Sequence, residues 1–124
     1  MFAPKAADKS AMGFEDKGHF RRKFPRRTLN KKVGTLFDGQ YFICTSGEIG
    51  EGGMSIVSDY ALTEGRDVVL SFQIPNGTFV TLRGTIKSAL VKKGFVTHGV
   101  AFEKIPLAFK RQIRAFVSAR IISG

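Results

Sequence analysis

Residues 67–90, DVVLSFQIPNGTFVTLRGTIKSAL, alternate apolar and polar side chains on both sides of Asn76-Gly77. In the first run Val68, Leu70, Phe72 and Ile74 fall on one face, with Val69, Ser71 and Gln73 on the other. In the second, Val80, Leu82, Ile86 and Leu90 form the matching inward set. Successive side chains of a strand point to opposite faces, so the pattern predicts two half-buried strands. Asn-Gly is a strong signal for the tight turn that would join them.

The same grammar extends in both directions. VGTLF (33–37) and YFICTSGEI (41–49) flank Asp38-Gly39, a second hairpin pair, and MSIVSD (54–59) follows a glycine-rich stretch. Lys92-Lys93-Gly94 turns into FVTHGVAF (95–102), where Val96, His98, Val100 and Phe102 share a face. Closely spaced short strands separated by turn residues predict a mainly-β fold, a small six-stranded antiparallel barrel or sandwich. The end of the chain changes period. From Pro106, a residue suited to a first helical turn, Phe109, Ile113, Phe116, Val117 and Ile121 recur at helical spacing. Lys110, Arg111, Arg114 and Ser118 fall opposite, which predicts an amphipathic helix over 106–121 that closes or flanks the barrel.

A chain of 124 residues is sized for one core. No apolar run is long enough to span a bilayer, and no secretory signal is visible at the N-terminus. One cysteine, Cys44, excludes an intramolecular disulfide and fits a reducing cytoplasm. The net charge of +10 is uneven: residues 1–32 carry ten Lys/Arg against three Asp/Glu, and the remainder carries ten against seven. Residues 1–20 read as a tail, and 21–32 as a basic arm built on RRKFPRR (21–27). Pro25 disfavours helix at the residue before it, so the arm should be extended or turned. The barrel with its helix then occupies 33–121. Concentrated charge of this kind implies an anionic partner: nucleic acid, a membrane surface or a small phosphorylated ligand.

Catalytic constellations are thin. His19 and His98 are far apart in sequence, and Cys44 has no cysteine or histidine at metal-ligand spacing, which makes it a buried small hydrophobe. GEIGEGG (47–53) fails as a nucleotide phosphate loop: Ser55 stands where a third glycine is needed, and a strand pattern follows instead of a helix. Glu48 and Glu51 would also repel phosphate. A nucleic-acid barrel would present aromatics for base stacking, but Phe72 and Phe102 fit the core, and only Phe79 and Phe95 are left undecided. The sequence therefore indicates a binding module with no metal or cofactor, and makes nucleic acid a minor alternative.

The order of the motifs resembles the PilZ domain family over residues ~20–121. RKFPR (22–26) fits the family's RxxxR motif, and EIGEGGMSI (48–56) aligns with its D/N-x-S-x-x-G turn entering a strand. LTEGRDVVLSFQIP (62–75) and HGVAF (98–102) resemble later family strands. The resemblance implies a cytoplasmic receptor for the bacterial second messenger cyclic di-GMP. Arg22 and Arg26 would clamp the ligand with help from Arg21, while Glu48, Gly50 and Gly53 would form the floor, Gly53 by allowing a turn with positive φ. Guanidinium forks suit the task, because they engage phosphates and the guanine O6/N7 edge bidentately and also stack on bases. Where the family pattern has Asp or Asn this chain has Glu48, and where it has Ser it has Gly50; Gly53 is retained. The resemblance also implies an output through a downstream protein, in motility, pili, adhesion or exopolysaccharide. A second reading is a degenerate PilZ adaptor that binds proteins without the nucleotide.

Overall fold

The computed structural model describes residues 25–123; the expectations for tail residues 1–20, His19, Arg21 and Arg22 lie outside them. Within that span the chain runs β1 (Arg27–Thr28), β2 (Lys32–Phe37), β3 (Gln40–Ile49), β4 (Gly53–Ser58), β5 (Asp67–Gln73), β6 (Phe79–Lys92), β7 (Phe95–Phe102) and α1 (Leu107–Ser123). Every pairing is antiparallel. The hydrogen-bonded order β3-β2-β5-β6-β7-β4 returns to β3 through the β3–β4 pairing, so the six long strands close into a barrel. Closure removes the exposed sheet edges that an open sheet would present. The two-residue β1 lies along β3 beyond the end of β2, with Arg27 opposite Ile49 and Thr28 opposite Glu48.

Turn chemistry explains the hairpins. Asp38 and Gly39 (φ 51° and 78°) and Lys93 and Gly94 (φ 30° and 91°) place two consecutive residues in the left-handed region, as a two-residue hairpin of type I′ demands. The β5–β6 connection differs from the Asn-Gly turn read in the sequence. The Gly77 N–H donates to the Ile74 carbonyl (2.7 Å), so Pro75 and Asn76 are the central residues. Asn76 alone takes a positive φ, 59°. Proline first and Asn second is the chemistry of a type II turn.

The alternation across β5 and β6 holds for Val68, Leu70, Phe72, Ile74, Val80, Leu82 and Ile86, all of which are buried. Leu90 breaks it, at 56% exposure. Ile86 pairs with Val100 but Ser88 with Gly99, so β6 carries an extra residue there. A bulge of this kind inverts the inward set, and Leu90 turns outward beyond it. One helical stripe closes the core: Ile113 and Val117 are fully buried, while Phe109 and Phe116 pack against it from its margin.

His98 is buried too, and its hydrogen bonds are internal. Nδ1 faces the Ser88 carbonyl at 3.2 Å, and Nε2 faces the Tyr60 carbonyl and the Ser58 hydroxyl, both at 3.3 Å, and the Leu62 N–H at 3.4 Å. This internal network gives the ring a structural role. Cys44 is likewise buried, and burial pushes its thiol pKa up, as fits a packed small hydrophobe.

Candidate ligand-binding site

The site starts from an irregularity in β3. Ser46 pairs with Ile56 and Ile49 with Met54, so three steps on β3 oppose two on β4. Ser55 Oγ fills the space above Gly47, where a Cβ would collide with it, and accepts the Glu48 N–H at 2.9 Å. The bulge reverses the facing of β3: Cys44 and Ser46 point inward before it, and Ile49 after it. Glu48 is thereby turned to the outer surface. Its cross-strand partner Thr28 shares that face, because directly opposed residues point to the same side of the sheet.

The basic arm reaches this surface. A Cβ on Gly50 would lie 3.0 Å from the Pro25 carbonyl oxygen and 3.3 Å from Arg26 Cγ. The described part of the arm is laid across the second motif; Phe24, whose conformation Pro25 restricts, lies outside the described residues. Arg26 and Glu48 therefore lie on one outward face, with Gly50 buried beneath the arm beside them. Gly53 has a different place. It opens β4 opposite Ala101 of β7, and a Cβ there would overlap the Val100 carbonyl oxygen. Its φ is not positive, which corrects the turn expected for it: the residue is glycine because two backbones meet. The loop itself is closed by the Gly50 N–H donating to the Gly53 carbonyl and the Phe102 N–H donating to the Gly52 carbonyl, both at 2.9 Å.

Two further contacts tie the arm and the motif loop to α1, and neither was legible in the sequence. Arg27 donates from Nη1 to the Phe116 carbonyl (3.0 Å), and its guanidinium sits 4.4 Å from the Phe116 ring centroid. One of the five basic residues of RRKFPRR is thus an anchor. Glu51 is turned inward, 3% exposed, and accepts two hydrogen bonds from Arg114, Nε to Oε2 and Nη2 to Oε1, both 2.9 Å. Its carboxylate is neutralised inside the fold, so the repulsion of phosphate expected from it is muted.

The hydrogen bonds from Arg114 hold the Glu51 carboxyl below its ordinary pKa, against burial, with further help from the charges of Arg114 and Lys110. A carboxylate with a depressed folded-state pKa adds stability that is fully present above the unfolded value of ~4.3 and lost as pH falls through the folded one. Arg114→Ala should cost more than Glu51→Gln at neutral pH, because it leaves a buried charge without donors. An unsatisfied buried acceptor costs about 1–3 kcal/mol, and the half-exposed Arg114 side chain, already open to water, puts this case at the low end. Thermal melts at pH 7 and pH 3 check the expectation: the Arg114→Ala deficit should shrink in acid.

Among the described residues no group of His, Cys, Asp or Glu could hold a metal ion, and no helix is long and apolar enough to cross a membrane. The sequence has no significant match among curated proteins. Solved structures share the fold at low identity. The Bacillus subtilis inhibitor of motility MotI/DgrA superposes with TM-score 0.75 at 13% identity, covering 83% of this chain and 52% of its own. PlzA of Borreliella burgdorferi, solved with c-di-GMP, gives TM-score 0.63 at 23% identity over 81% of this chain and 42% of its own. The PilZ domain of Escherichia coli YcgR, also solved with c-di-GMP, gives 0.65 at 15% identity over 83% and 94%. The chain thus spans about half the length of the first two and nearly all of the third. Residues 20–119 match the family model of the PilZ domain, a stretch that includes the arm, the bulged motif and the helix that anchors both. The chain belongs to the PilZ domain family.

Proposed function

We propose that the chain is a cytoplasmic cyclic di-GMP receptor that relays ligand occupancy to a downstream protein. PilZ domains are non-enzymatic receptors and adaptors, and the proposal gives this member the receptor role. The observation that carries it is the seating of Pro25 and Arg26 directly over Gly50. In this reading Arg22 and Arg26 clamp the phosphates and guanine edges, and Arg21 assists. Glu48 accepts guanine N–H groups, Gly50 lets the arm close down onto the motif loop, and Gly53 lets the floor approach β7. Each charge-assisted hydrogen bond is worth about 1.5–3 kcal/mol, so two arginines suffice for a strong contribution to affinity. A selectivity panel tests the reading. Cyclic di-GMP should raise the melting temperature, while GMP, cyclic AMP and short single-stranded DNA at equal concentration should not.

Gly50→Ser probes the floor. Its φ is not positive, so serine meets no left-handed backbone strain, but its Cβ requires the Pro25 carbonyl above it to give by a few tenths of an ångström, which the melting temperature reports. The added hydroxyl should tighten cyclic di-GMP binding by up to about tenfold, the worth of one neutral hydrogen bond. Glu48→Asp in the same background should add to this, although neighbouring sites need not be additive. Affinity and melting temperature measured together check it; unchanged affinity in a stable variant would place the ligand away from Gly50.

A further inference from the structure

We infer that the outer face of β3, β4 and β7 is a docking groove for an acidic protein segment carrying a bulky apolar anchor. The groove encloses about 400 Å³ and is lined by Ile43, Thr45, Val57, Ser58, Asp59 and Phe95. Ile43 and Phe95 are 54% and 45% exposed, and Tyr41, at 65%, extends the apolar strip across β2, with its hydroxyl lying over Gly34. None of these residues belongs to the candidate ligand site, which lies toward the other end of β3, so the inference does not rest on the nucleotide reading. A space of this size accepts one or two large side chains, and apolar patches that persist on a surface commonly mark partner sites.

Charge selects the occupant. Lys32 is paired with Thr45 across β2–β3, and Lys92 with Phe95 across the β6–β7 hairpin. Directly opposed residues share a face, so each lysine stands beside a groove-lining residue, and Lys93 follows in the turn. All three are exposed, and among the described residues none has an acidic partner within ion-pair distance. A second copy of the chain would bring these lysines against one another, which disfavours self-association through this face. Nucleic acid would have to run its regularly spaced phosphates past the Asp59 carboxylate. A peptide can present an uncharged residue there and reserve its acids for the lysines. The chemistry points to an apolar residue flanked by Asp or Glu.

The test selects displayed random 12-residue peptides on the full chain, then titrates the enriched peptides by fluorescence anisotropy. The expected consensus has Phe, Leu, Ile or Trp within a few positions of two or more acids. Phe95→Ser and Ile43→Ser should each weaken those peptides by about tenfold or more, the cost of a lost anchor contact. Lys32→Glu with Lys92→Glu should weaken them similarly, and wild-type affinity should fall as salt rises. The lysine variant changes only outward side chains and keeps the inference falsifiable if a groove variant unfolds. No enrichment, a consensus without acids, or binding that ignores these substitutions would overturn it. So would a wild-type dimer dissolved by Phe95→Ser. Tighter binding of single-stranded DNA or anionic vesicles, lost in the same variants, would assign the face to those ligands instead.

Discussion

Gly53→Ala is expected to lower the stability of the protein by about 3 kcal/mol or more, toward or beyond the upper end of the usual cost of overpacking. The added methyl would overlap the Val100 carbonyl oxygen and sit 3.2 Å from Ala101 Cα, so backbone must move on β4, β7 or both. Flexible side chains can rotate away from a new atom, whereas a hydrogen-bonded strand pair cannot. Gly53 also begins the run of six pairs between β4 and β7, and a displacement there opens the end of the barrel beneath the motif loop. The melting temperature should fall by more than about 10 °C for a domain of this size. Gly52→Ala is the control. Nothing lies within 4 Å of its Cβ position and its φ is not positive, so alanine should be neutral or stabilise by about 0.4–1 kcal/mol. Equal melts for the two variants would refute the close-approach account of Gly53.

Arg26→Ala is expected to weaken cyclic di-GMP binding by about ten- to hundredfold, the range for one charge-assisted hydrogen bond. Arg22→Ala, outside the described residues, should behave alike. The melting temperature of the unliganded protein should change less than it does for Arg27→Ala, because the Arg26 side chain is exposed. Its neighbour should do the reverse. Arg27→Ala removes the hydrogen bond to the Phe116 carbonyl and the stacking on its ring, so it should cost about 1–2 kcal/mol of stability, with a smaller change in affinity. The two adjacent arginines thus separate clamp from anchor. If Arg26→Ala loses stability at unchanged affinity while Arg27→Ala does the opposite, the roles are exchanged and the clamp proposal fails.

The barrel was legible because its signals are local. Period-two alternation with turn residues at Asp38-Gly39 and Lys93-Gly94 specifies hairpins within a few residues, and a closed barrel is one way to bury a single face of six strands. The bulges were less legible. Nothing near Lys87 announces the extra residue that turns Leu90 outward, because that register is set by the whole of β7. The bulge in β3 was hidden in the glycine-rich run whose motif resemblance drew attention for another reason. For the candidate site, sequence pattern pointed to Arg26, Glu48 and Gly50, which the fold brings close together, Gly50 buried under the arm. It could not foresee Arg27 with Phe116 or Glu51 with Arg114, contacts that span 89 and 63 residues. One of two acids in a glycine-rich loop and one of several cations on an amphipathic helix each read as solvated until the fold brings them together.

The arm, the motif loop and α1 meet at one end of the barrel. In the receptor reading proposed above, a ligand held by Arg26 would act next to Arg27, whose guanidinium donates to the Phe116 carbonyl of α1. Coupling of that kind needs a differential interaction between two states of the arm, and ligand contacts at Arg22 and Arg26 would supply it.

The most direct test of the central claim is calorimetric titration of the full chain with cyclic di-GMP, with Arg26→Ala run alongside. The account predicts saturable binding to the wild-type chain and a ten- to hundredfold weaker isotherm for the variant, about 1.4–2.7 kcal/mol. A well-folded wild-type chain that produces no saturable signal, or one whose affinity is indifferent to Arg26, would contradict it.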